Sequence, residues 1–179
     1  ALLVSVLPTR NCREVYDFVA LTANNGSMSA AYTDFLNTQP LLVDAFLATN
    51  IFDLWIGNPS RTVGNMRTDS DTLFAVIPDD NILLSDQKTF TPKNLCPFEA
   101  FTRFATPQQA PVIALTLQAI ESFPPDRIAA TADRLTPLDP VHWKAAEYSA
   151  LLTDRRPLLR PMLMDVLSPA TRKAVAALA

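Results

Sequence analysis

The 179-residue chain holds three glycines, two cysteines and one histidine, and each scarcity closes off a class of function. Glycine stands only at positions 26, 57 and 64. Neither the G-x-G-x-x-G turn of dinucleotide binding nor the G-x-x-x-x-G-K-[ST] phosphate loop can be built from that spacing. G-x-S-x-G and H-E-x-x-H are absent too, so nucleotide-dependent and α/β-hydrolase chemistry are not expected. Cys12 and Cys96 lie too far apart for a metal knuckle, and His142 is the single imidazole. A structural zinc site therefore lacks ligands, and two ordinary buried thiols in a reducing compartment are expected. Apolar runs stop well short of the roughly 20 residues that a membrane-spanning helix needs. Charge is scarce as well: charged residues make up 18% of the chain. Isolated soluble domains carry nearer about a quarter, which points to surface covered by partners.

What the chain has instead is proline, fifteen of them. Thr106-Pro107, Asp139-Pro140 and Ser168-Pro169 each stand before a helix-like apolar pattern. The first residue of each pair offers an oxygen to an orphan N–H of the opening turn. The proline fits the first helical position, where its missing N–H has no partner to lose. Helix starts are thus sharply marked. Overall the reading is mainly α: one domain spanning 1–179, a bundle of seven to nine short helices with a small β or irregular excursion near residues 58–95. Within it a helical lobe is expected over 1–57, the turn and strand segment over 58–96, and a second helical lobe over 97–179.

Element by element, the apolar start from Ala1 to Pro8 has no preceding basic region and no cleavage site, so a first strand or docking arm is expected rather than a signal peptide. Asn11 opens a capping-box pattern before a helix carrying Val15, Phe18 and Val19. A second helix begins near Ser27 or Ser29, with Ala31, Tyr32, Phe35 and Leu36 on one side. Pro40 opens a third, which runs on to a stop at Gly57. Leu73 to Ile77 reads as a strand pairing with Ile82 to Leu84. Helices follow from Pro97 to Phe104, from about residue 110 to Phe123 (apolar nearly all round), after Pro124-Pro125, and after Asp139-Pro140. The last of these places Val141, Ala145, Tyr148 and Leu152 in register. Pro157 and Pro161 must break or kink the segment from Leu158 to Leu167, and Ser168 caps a final helix.

Net charge is −3, split as −5 over residues 1–90 and +2 over residues 91–179. Such polarity suits head-to-tail packing of like copies. Arginine outnumbers lysine eleven to four, as suits interfaces that fork onto carboxylate or phosphate. Arg155, Arg156, Arg160, Arg172 and Lys173 form the candidate binding cluster, joined by Arg61 and Arg67 from the turn-rich segment. A metal-dependent enzyme would have to centre on Asp69, Asp71, Asp79 and Asp80, although turn and cap roles account for the same aspartates. His142 would have to serve any general-base mechanism. No motif matches a family closely enough to carry site residues across.

The expected function is a structural self-assembling subunit, of viral coat, core or shell type, with no catalytic activity, cofactor or metal. Its partners are copies of itself, then other particle proteins or RNA, in a cytoplasmic or virion setting. A small helical adaptor or nucleic-acid-binding protein using the C-terminal arginines is the first alternative. The metal-dependent enzyme is the second.

Overall fold

In the computed structural model, which describes residues 10–11, 27–58, 66–68, 73–75, 90–95, 98–135, 137 and 144–178, Ser27 starts the first helix. Its backbone is extended, and its Oγ accepts from the Ala30 N–H at 3.1 Å. Helix α1 spans Met28–Thr38 and buries Ala31, Tyr32, Phe35 and Leu36, the stripe that the i, i+1, i+4, i+5 spacing sets on one side. Pro40 cannot continue the ladder. A 3₁₀ turn, Pro40–Leu42, re-aims the chain into α2, Val43–Ile56. Helix α2 is buried on nearly all sides, and the Tyr32 and Phe46 rings meet at 5.7 Å between α1 and α2. Gly57 ends it with φ at 69°, a left-handed conformation that costs glycine little. Asn58 then donates its N–H to the Asp53 carbonyl and its Nδ2 to Asp53 Oδ1, both inside the core.

A three-stranded antiparallel sheet follows the order β1 (Arg10–Asn11), β2 (Met66–Thr68), β3 (Leu73–Ala75). Asn11, expected to cap a helix, ends β1 opposite Arg67, and the turn it would cap lies outside the described residues. The strand expected at Leu73 is present and pairs backward with β2, Phe74 opposite Arg67. The helix expected after Asn11, the apolar start and the Ile82–Leu84 partner lie outside the described residues.

Six helices complete the bundle's second half, beginning with α3, Phe98–Phe104, which buries Ala100 and Phe101 against α1 and α2. Thr106-Pro107 opens a 3₁₀ turn, Pro107–Gln109, and α4 proper runs over Ala110–Glu121, as Pro111 at its second position dictates. Helix α4 packs on α2 through Ile113, Ala114, Leu117 and Ile120. Apolar nearly all round as it is, α4 is not buried all round, because Leu115 faces solvent. Pro125–Leu135 forms α5, burying Ile128 and Ala132. Helix α6, Ala145–Arg155, packs on α5 and starts later than expected: Lys144 precedes it in a non-helical conformation, and Asp139, Pro140 and His142 lie outside the described residues. A 3₁₀ turn, Arg156–Leu158, carries the break that Pro157 requires, before α7, Leu159–Val166. Ser168 caps α8, Pro169–Ala176, accepting from the Thr171 N–H at 3.2 Å.

One hydrophobic cluster runs through α1, α2, α3, α4, α7 and α8, with Ile128 of α5 at its margin. The chain is thus a mainly α bundle with eight α-helices and a small sheet among the described residues. A polar group interrupts the core at Asn50, which is fully buried in α2. Its Nδ2 donates to the Phe46 carbonyl, and its Oδ1 meets no donor. Among the described residues no helix is long and apolar enough to cross a membrane.

Candidate interaction surface

An α-helix ends with carbonyls that have no partner inside it, and the summed peptide dipoles make that end negative. At the end of α2 the Gly57–Asn58 cap satisfies the Asp53 carbonyl. The carbonyls of Leu54 and Trp55 are met from a hundred residues away by Arg155. Its Nε donates to Trp55 O at 3.0 Å, and its Nη2 donates to Leu54 O. Only 4% of Arg155 is exposed, and its guanidinium lies 5.4 Å from the centre of the Phe90 ring. Burial pulls the guanidinium pKa down from its ordinary value, yet an arginine so placed stays charged. In return, Trp55 Nε1 donates to the Leu152 carbonyl of α6 at 2.9 Å. Arg155 is therefore a cap for α2, and it does not join a solvent-facing basic cluster.

Two neighbouring arginines are also occupied. Arg156 donates to the Phe123 carbonyl just past α4. Arg160 of α7 forks onto Glu121, Nε to Oε1 at 2.8 Å and Nη2 to Oε2 at 2.7 Å. That carboxylate, by hydrogen bonding first, raises the Arg160 pKa above its usual value. Arg172 and Lys173 sit exposed on α8, beside Thr171, whose Oγ1 donates to the Ala105 carbonyl at 2.9 Å. Arg67 belongs to β2, and Arg61 lies outside the described residues. The C-terminal cations thus divide: Arg155, Arg156 and Arg160 bind the fold together, and Arg172 with Lys173 remains at the surface. One signal for this was present in the chain. Arg155 continues the stripe Tyr148, Leu152 at i+7, the register of a side chain turned toward the core.

The aspartates Asp69, Asp71, Asp79 and Asp80, with Cys12, Cys96 and His142, lie outside the described residues. Among the described residues no three His, Cys, Asp or Glu side chains come together to hold a metal.

The same junction leaves apolar surface open. Phe52 meets Trp55 edge-on at 5.8 Å, and Phe123 meets it from the end of α4 at 6.0 Å. Phe52 and Phe123 are 36% and 37% exposed beside a ring that is nearly closed off. Leu158, in the turn whose Arg156 grips the Phe123 carbonyl, is 55% exposed. Edge-on contacts hold the rings in place, so the ledge offers a fixed shape at little entropic cost. Covering the open third of each phenylalanine is worth about 1–2 kcal/mol. Reading the sequence by helical stripes missed this ledge, because Phe52 and Phe123 belong to separate segments that only the packing of α2 on α4 brings together.

Comparison of the chain with protein-family models, curated proteins and solved structures finds no match.

Proposed function

We propose that the chain is a structural self-assembling subunit, of the viral coat, core or shell kind, acting by contact and carrying no catalytic activity. The observation that supports this reading is the aromatic ledge of Phe52, Trp55 and Phe123, left open where the neighbouring arginines are already spent on internal carbonyls. A solvated enzyme surface gains nothing from two half-open phenylalanines on one tryptophan, whereas a contact surface does. The occupant is a second copy. The charge split of −5 and +2 between the two halves favours head-to-tail contact, and the 18% charged content leaves little repulsion to overcome. The ledge is small against the about 1,200–2,000 Å² that a stable pairwise interface buries. Repeated weak contacts in a closed array fit it better than one tight dimer.

Other particle proteins and RNA follow as secondary partners in a cytoplasmic or virion setting, with Arg172 and Lys173 the exposed cations for phosphate. The test is native mass against concentration. The parent chain should gain mass as concentration rises, and Phe52→Asp with Phe123→Asp should move the midpoint upward by at least about tenfold. A chain that stays monomeric at high micromolar concentration would sink the reading. So would a double variant that assembles as readily as the parent.

A further inference from the structure

Helices α1 and α3 leave an open groove of about 370 Å³ between them, away from the aromatic ledge. Their spacing is set by Ser29, whose Oγ accepts from the Ala100 N–H at 2.9 Å. Thr33 lines the groove with 9% of its surface exposed, and its hydroxyl has no hydrogen-bond partner among the described residues. Thr38, Thr116 and Thr153 each donate to a carbonyl one turn back along their helices. The Thr33 hydroxyl is not sealed in: it opens onto the groove, where a ligand can reach it.

The opposite wall supplies charge of both signs. Glu99 and Arg103 stand four residues apart on α3, the spacing at which such a pair ordinarily joins, yet neither enters an ion pair. A groove of carboxylates alone would suit a cation, and one of arginine alone an anion. Asp34 of α1 adds a second carboxylate to the lining, and the unjoined Glu99 and Arg103 beside a reachable hydroxyl suit a ligand that carries both charges.

We infer that this groove binds a small zwitterion, a free α-amino acid, with its ammonium on Glu99 and its carboxylate on Arg103 and the Thr33 hydroxyl. Each contact is charge-assisted, so it is stronger than a neutral hydrogen bond. The volume lies at the lower end of the about 300–1,000 Å³ typical of ligand sites, and it leaves room for an apolar side chain.

Three matched probes test this with the full chain, by amide chemical-shift titration: L-norvaline, n-butylamine (the same molecule without its carboxylate) and pentanoate (without its ammonium). Norvaline should bind at least about tenfold more tightly than either half, with shifts confined to α1 and α3. Glu99→Gln and Arg103→Met, both at exposed positions, should each weaken it by about tenfold, and Thr33→Val by about threefold, with unchanged circular dichroism. The inference is overturned if norvaline fails to saturate at millimolar concentration or binds no better than its halves. It is equally overturned if the Glu99 and Arg103 variants keep the parent affinity, or if the shifts fall outside α1 and α3.

Discussion

Helix α2 closes nine side chains into the core, whereas α6 closes one, and that one is Arg155. Helices α1, α2 and α4 hold together as apolar surfaces do, by removing Tyr32, Phe46, Leu54, Ile113 and Leu117 from water. The α5–α6 pair gives up much less. Among the α5 side chains described, only Ile128 and Ala132 are closed off, and apart from Arg155 the side chains of α6 stay half-buried or exposed. The pair is tied on by directed bonds, Trp55 to the Leu152 carbonyl and Arg155 to the carbonyls of Leu54 and Trp55. Non-directional burial tolerates small shifts of one helix on another. Directed bonds do not, so the attachment of α5–α6 should be exact in geometry and abrupt in failure.

Substitutions on the two sides should separate these modes. Leu54→Ala empties a fully buried site between α2 and its neighbours and should have the largest effect, about 3–4 kcal/mol in urea unfolding, felt by every helix at once. A cost below about 1 kcal/mol would show that the α2 core collapses around the gap and that the contrast is overdrawn. Arg155→Met comes next, at about 2–3 kcal/mol, since two closed-off carbonyls at the end of α2 lose their donor. Its signature should be local: amide exchange and protease cleavage should rise in α5 and α6 well before the α1–α4 core opens. Uniform loosening of all helices would show that Arg155 belongs to the general core. Arg160→Met should have the smallest effect, about 0.5–1 kcal/mol and diminished by salt, because the Arg160–Glu121 pair is a quarter to a third exposed. If Arg160→Met cost as much as Arg155→Met, burial would not be what distinguishes the two.

Much of the fold could be read from the chain because it is written locally. Ser27 and Ser168-Pro169 cap the helices they precede, Gly57 ends α2, and Pro111 moves the start of α4 to Ala110. Each of these depends on neighbours within one turn. The stripe of α1 followed for the same reason. The start of α6 was not legible in the same way: the helix begins at Ala145 after a non-helical Lys144, and the Asp139-Pro140 signal lies outside the described residues. The arginine cluster misled for a different reason. Charge and spacing put Arg155, Arg156 and Arg160 on one basic face, but the groups that claim them, the carbonyls of Trp55 and Phe123 and the carboxylate of Glu121, lie 33 to 100 positions away. The aromatic ledge and the α1–α3 groove have no signature in either segment alone, since both exist only where distant helices meet.

Asn50 has a consequence of its own. An amide oxygen facing nothing in a sealed interior is a debt the native fold carries. Leucine has nearly the same outline and would leave no acceptor stranded, so the natural sequence forgoes a sturdier α2 that lies one substitution away.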